Sequence, residues 1–193
     1  MLLAQKIRRL VIAVATFTLL SGCAALTSQT LDLHPELNVT RQLDKNTRIV
    51  VQPEDIRLNK TIGFRKTGKN PPPQILLQDS KLLLQHTIEH ALEDMGIRRF
   101  FAGEFTLGLK LVELNYKATK QGLKQIVDVD IRIDVDLSKA NKRYSGSYKT
   151  NKQQTFLGTP SEEENEKIIN ELVTENMNLI VNDPKLLDFI QFN

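Results

Sequence analysis

Val127, Val129, Ile131, Ile133, Val135 and Leu137 alternate without a break with Asp128, Asp130, Arg132, Asp134 and Asp136. Successive side chains of a strand point to opposite faces, so a period of two puts every aliphatic group on one side and every charge on the other. Such a strand belongs in a sheet with one dry and one wet face, which favours antiparallel neighbours and a layer of helices over the dry side. It contains neither Pro nor Gly, as expected of a strand internal to its sheet.

The flanking segments repeat this pattern less strictly. Over residues 105–117 the apolar positions fall first at Phe105, Leu107, Leu109 and Leu111, then at Val112, Leu114 and Tyr116. The phase slips by one near Leu111, which predicts a β-bulge there. Gly122 marks one turn and Ala140-Asn141 another. A further strand follows over residues 143–156, with Tyr144 and Tyr148 inward and Arg143 and Lys149 outward beside the aspartates. Earlier, the β-branched run Thr47-Arg48-Ile49-Val50-Val51 opens a strand over residues 47–57, bent at Pro53, where a ladder donor is missing.

Two helices are predicted. In residues 79–95, Leu84, Ile88, Ala91, Leu92 and Met95 recur at helical spacing, and Gly96 follows as a left-handed cap. Thr159-Pro160-Ser161-Glu162 offers an N-cap threonine, a proline at the first helical position and a capping-box glutamate. The helix it opens carries the stripe Ile169, Leu172, Val173, Met177 and Ile180. Asp183-Pro184 starts a last short turn or helix whose Leu186, Leu187, Phe189 and Ile190 seal the core. The expected architecture is α+β, in the order strand, helix, three strands, helix. It is a single antiparallel sheet of about four strands with two helices on one face.

The N-terminus carries an address. Lys6, Arg8 and Arg9 precede an apolar run from Leu10 to Leu20, and Leu20-Ser21-Gly22-Cys23 follows. This is the charged region, apolar region and cleavage site of a secretory signal. The apolar run falls short of the ~20 residues of a spanning helix. The Leu-Ser-Gly-Cys ending resembles the lipobox of bacterial lipoproteins. That resemblance implies cleavage between Gly22 and Cys23 and acylation of Cys23, the only cysteine in the chain. One acyl chain holds a protein only marginally, whereas two or three hold it firmly. In such lipoproteins an Asp after the cysteine signals retention at the inner membrane. Ala24 and Ala25 stand here instead, implying the periplasmic leaflet of a Gram-negative outer membrane rather than the inner membrane. The chain thus divides into a signal (residues 1–22), a lipidated tether (23–46) and one periplasmic domain (47–193). Within the tether, Leu31, Leu33 and Leu37 can dock as an edge segment.

The lipobox, Asp55-x-Arg57, Leu83-Leu84-Gln85, Arg143-x-x-x-Ser147-Tyr148 and Asp188-Phe189-Ile190 together resemble the YajG family of envelope lipoproteins. That family has no assigned biochemical activity. Its fold resembles that of lipoproteins acting as assembly or transport accessories.

No residue declares a reaction. With Lys6, Arg8 and Arg9 removed, cations and anions balance, and no electrostatic case for nucleic acid remains. There is no disulfide framework, no Gly-x-Ser-x-Gly elbow, no Ser-x-x-Lys and no phosphate loop. His86 and His90 share a helix face with Glu89 and Glu93. Two histidines need further ligands to hold zinc, so a solvated face is expected. The aspartates of the alternating strand read as a wet face balanced by Arg132, Arg143 and Lys149. Asp55 and Arg57, two apart on a strand, read as an ion pair. The segment Lys60 to Pro73 stands apart, with Lys60, Phe64, Arg65, Lys66 and Lys69 before the stiff Pro71-Pro72-Pro73 run. Residues 61–66 can form a short strand of a hairpin. This loop is the expected contact for an acidic partner, lipid head groups or another envelope protein. The expected role is a non-enzymatic interaction or accessory module without a cofactor beyond the lipid on Cys23. The alternative is a binding protein for a lipid or peptidoglycan fragment, held between the helices and the sheet.

Overall fold

The structure, a computed structural model, describes residues 28–97 and 102–193. Gly22 and Cys23 therefore lie outside the described residues. No helix of the described residues is long and apolar enough to cross a membrane.

The sheet differs from the expected one. It has seven strands in mixed orientation: β1 (Gln29–Thr30), β2 (Ile49–Asp55), β3 (Thr61–Phe64), β4 (Gln74–Leu76), β5 (Phe105–Gln121), β6 (Lys124–Lys139) and β7 (Lys142–Leu157). Among the described residues three helices accompany it: α1 (Ser80–Asp94), α2 (Glu162–Val181) and α3 (Pro184–Phe192). The single four-stranded antiparallel sheet with two helices is thus incorrect. The β5-β6-β7 meander is antiparallel as expected, but β2 runs parallel to β5, with Ile49 opposite Phe105 and Asp55 opposite Leu111. The reason lies in the connection. A strand that returns to its neighbour through a helix crosses over and arrives parallel, whereas an antiparallel pair can be joined by a tight hairpin.

Strand β5 is long enough to pair with two short strands laid end to end. Its first half carries β2, and farther along Tyr116 pairs with Gly63 of β3. A Cβ at Gly63 would lie 2.1 Å from the Tyr116 carbonyl oxygen, so glycine permits this approach. Strand β4 folds back antiparallel on β3, completing the expected hairpin, and β1 adds parallel to β4. The expected bulge is present: Leu111 pairs with Ile133, Glu113 with Arg132, and Val112 is the extra residue.

The dry face of β6 is fully covered, with Val127, Val129, Ile133 and Leu137 all 0% exposed. Helix α1 packs near β2, while α2 packs over β6 and β7. The end of α1 closes as a full Schellman turn, with Gly96 N–H donating to Glu93 O and Ile97 N–H to Leu92 O, and Gly96 at φ +92°. The start of α2 lies two residues later than the Thr159 reading. Ser161 is the N-cap and Glu164 closes the box, because that pair places serine three residues before a glutamate. Helix α3 buries Leu186, Leu187 and Ile190, and Phe189 meets Phe105 edge-on at 6.4 Å.

From Ser28 onward the expected tether is part of the folded body. Leu31, Leu33 and Leu43 are buried, and the segment runs along α2 as a strap. Asparagines on α2 and its cap hold its backbone. Asn170 Oδ1 accepts from His34 N–H (2.8 Å), Asn178 Oδ1 from Asn38 N–H (2.9 Å), and Asn182 Oδ1 from Thr40 N–H (2.9 Å). Arg41 pairs with Asp188 of α3 at 2.6 Å, and Leu43 N–H reaches Met95 O. Asn182→Ala removes the acceptor for Thr40 and a donor to Asn38 O. The expected cost is about 1–2 kcal/mol, with faster amide exchange at Thr40 and unchanged exchange in β6. Equal acceleration at both places would contradict local docking of the strap.

Candidate functional site

The strap and α1 face each other across an open groove of ≈ 600 Å³. Leu31, Leu33, Leu77 and Ala91 supply a buried apolar floor, while Leu82 stands 55% exposed on the wall. Around these lie Asp32, Glu36, Asp79 and Asp94, and no Lys or Arg lines the groove among the described residues. All three histidines of the chain line it too: His34 from the strap, His86 and His90 from α1. His34 Nε2 lies 3.4 Å from Asp32 Oδ1, and His90 Nδ1 lies 3.8 Å from Glu93 Oε2. No three metal-type ligands converge among the described residues. Sequence spacing put His86 and His90 on one helix face. That His34 joins them depends on where the strap docks, for which Leu31, Leu33 and Leu37 were the signal.

Asp55 and Arg57 form the expected pair, within a larger knot. Arg57 Nε and Nη2 donate to the two Asp55 carboxylate oxygens at 2.9 and 2.8 Å, and Nη2 also donates to Leu77 O. Lys60 Nζ and Ser80 Oγ complete the carboxylate's shell. Burial alone would raise the Asp55 pKa, but the hydrogen bonds from Arg57, Lys60 and Ser80 outweigh it and hold the carboxyl well below its usual range. The knot ties the end of β2 to the start of α1, with Arg57 Nη1 buried there without a hydrogen-bond partner.

The Lys60 to Pro73 segment is less free than its sequence suggests. Lys60 belongs to the Asp55 knot. Arg65 is buried, with Nη1 2.7 Å from Glu162 Oε1 and Nη2 donating to Pro160 O, while Thr159 Oγ1 donates to Lys66 O. Arg65 therefore clamps the loop to the start of α2 and is unavailable to a partner. Sequence could not show this, because Glu162 is far away along the chain. Phe64 is 45% exposed, and Lys66 and Lys69 are exposed. Removing residues 63–69 would take the clamp and part of β3 with it.

Tyr144 and Tyr148, inward as expected, both donate to Asp183 Oδ2, at 2.8 and 2.6 Å, and approach each other at 2.7 Å. Burial, then the bond to the carboxylate, pushes the Tyr148 phenol up, while the two phenols hold Asp183 down against its own burial. Asp183 also accepts from Lys185 N–H, so the cluster fastens α3 to β7. On the wet face, Asp128, Asp130, Asp134 and Asp136 accept from Gln153, Asn151, Ser147 and Ser145 across the strand pair. These rungs are structural, as cross-strand pairing predicts.

Residues 35–191 match the family model described as "Uncharacterized lipoprotein". No curated protein matches the sequence. Among solved structures, a Xanthomonas campestris protein is 15% identical, covering 80% of this chain and 95% of its own, with a TM-score of 0.46. A minor lipoprotein of Acinetobacter baumannii is 11% identical, covering 69% and 92%, with a TM-score of 0.37. A lipoprotein of Neisseria meningitidis is 16% identical, covering 69% and 97%, with a TM-score of 0.27.

Proposed function

The chain belongs to the family of uncharacterized lipoproteins, and on that premise we propose that it is an interaction module of the YajG kind, fastened by lipid on Cys23 to the periplasmic leaflet of the outer membrane. The Leu20-Ser21-Gly22-Cys23 ending supports acylation, and Ala24 in place of Asp supports the outer membrane. The module works without catalysis and without a cofactor, presenting the groove between the strap and α1 to an envelope protein. The observation that carries this reading is the groove itself: an apolar floor, a projecting Leu82, and charged lining groups of which the carboxylates carry only negative charge. It suits a partner segment with apolar anchors flanked by Lys or Arg, since complementary charge raises encounter rate and register. The alternative, a lipid or glycan fragment held between helices and sheet, would have to displace Val127, Val129, Ile133, Ile168, Ile169 and Leu172, all at most 0% exposed.

A photocrosslinking residue at Leu82 tests the groove in cells, with one at Leu58, which is fully exposed outside it. A discrete adduct is expected at Leu82 and none at Leu58, and Asp32→Lys with Asp79→Lys should remove it. Identical adducts at both positions, or an adduct indifferent to charge reversal, would contradict the reading.

A further inference from the structure

The end of the sheet at the β5–β6 turn concentrates what a bilayer surface attracts. Leu123 in that turn is 88% exposed and Leu157 at the end of β7 is 86% exposed. They are neighbours, since Leu157 pairs with Lys124 and Gly158 N–H donates to Leu123 O. Exposed lysines surround them: Lys117, Lys120 and Lys124 on the hairpin, Lys66 and Lys69 on the loop that Thr159 ties alongside. None of these five belongs to an ion pair among the described residues. The three segments that build this end, residues 60–74, 118–127 and 154–161, contain no Asp or Glu. The carboxylates that border it are Asp128, opposite Lys117 and accepting from Gln153, and those at the start of α2, where Glu162 is engaged by Arg65 and Glu164 by the Ser161 cap, with Glu163 left exposed. A chain whose charges balance as a whole after the signal thus has a cationic end with two bare leucines at its tip.

The topology puts the start of β1 on the same side. Gln29 pairs with Ile75, Ile75 with Gly63, and Gly63 with Tyr116, so Gln29 and Tyr116 stand at one level across the sheet. Strand β1 is parallel to β4, β4 is antiparallel to β3, and β3 is parallel to β5. Strand β1 therefore starts on the side of the β5–β6 turn. From Tyr116 that strand continues five residues to Gln121, a rise of roughly 17 Å. Cys23 lies five residues before Ser28, a reach of at most about 18 Å. The two lengths agree, so an acyl chain on Cys23 and the tip at Leu123 can meet one plane.

We propose that this end is a second, non-covalent membrane contact, in which Leu123 and Leu157 enter the interface of an anionic phospholipid leaflet and the five lysines meet its phosphates. Basic residues near such a surface are attracted to it, and exposed leucines supply the apolar insertion. The contact fixes the orientation of the domain on its anchor and leaves the far end of the sheet facing away. This rests on the reading that Cys23 is acylated.

The chain contains no tryptophan, so Leu123→Trp introduces a single reporter at an exposed position. Phe192→Trp is the control, since Phe192 is 73% exposed and its neighbour Asn193 accepts from Lys142 at the opposite end. The acylated protein is reconstituted into vesicles of phosphatidylethanolamine and phosphatidylglycerol, with and without brominated acyl chains, and floated. Both variants should float, with the reporter at position 123 blue-shifted and losing about half its emission to the brominated chains, and that at 192 unaffected. Lys120→Glu with Lys124→Glu should abolish the quenching without releasing the protein. Protein that does not float overturns the anchor and this contact together. Protein that floats with equal, absent or charge-indifferent quenching at position 123 overturns the contact alone. A blue shift that grows with protein density yet resists bromine would assign the tip to a second copy, also overturning it.

Discussion

Arg57→Ala is expected to lower the free energy of unfolding by about 3–5 kcal/mol, because it strands a buried carboxylate. The Asp55 side chain is 0% exposed and the Arg57 side chain 5% exposed, and the guanidinium makes two of the carboxylate's five hydrogen-bond contacts. Lys60 remains after the substitution, but it is half exposed and reaches only one oxygen. Lys60→Ala should accordingly cost no more than about 1 kcal/mol. The pH dependence follows from the depressed Asp55 pKa. A carboxyl that ionises more readily when folded contributes stability that is fully present above its unfolded pKa of about 4 and is lost as pH falls toward the folded value. Asp55→Asn should therefore flatten the acid limb of a stability profile below about pH 4. It would not abolish that limb, because Asp183 is depressed in the same sense. Urea midpoints for these variants between neutral and acid pH check both statements. An Arg57→Ala midpoint no lower than that of Lys60→Ala would show that the knot is not what secures β2 to α1.

The second large effect is expected on the alternating strand. Ile133 is 0% exposed and sits between Leu111 and Tyr148 across the sheet. Ile133→Asp should cost at least about 4 kcal/mol, since an unpaired charge would enter a fully covered face. Asp130 faces the other way and accepts from Asn151 in a partly exposed rung. Asp130→Asn should stay within about 0.5 kcal/mol. Denaturant midpoints separate the two faces, and equal losses would contradict the register.

What the sequence revealed and what it concealed divide by range of interaction. The β6 alternation, the bulge at Val112 and the Schellman end of α1 are encoded within a few residues, and all were readable. Strands β1 and β4, of two and three residues, have no period to detect. They exist because β3 offers an edge and the strap needs somewhere to pair. The parallel course of β2 was concealed by assuming that neighbouring strands are joined by hairpins, although the intervening α1 was itself recognised. The same limit applies to the groove. His86 and His90 were placed together by helical spacing, but His34 and the acidic side chains opposite them arrive through asparagine contacts along α2. The cationic loop was visible as composition, whereas burial of Arg65 against Glu162 was not, so two of its five expected contact residues turn out to be structural.

The anchor on Cys23 underlies both the proposed location and the proposed orientation, and its most direct measurement is the intact mass of the protein extracted from isolated membranes. The expected result is a chain beginning at Cys23 and heavier than its polypeptide by two or three acyl groups, lost from the membrane fraction in Cys23→Ser. An unmodified chain of full length, or one that remains with the membranes after Cys23→Ser, would contradict it.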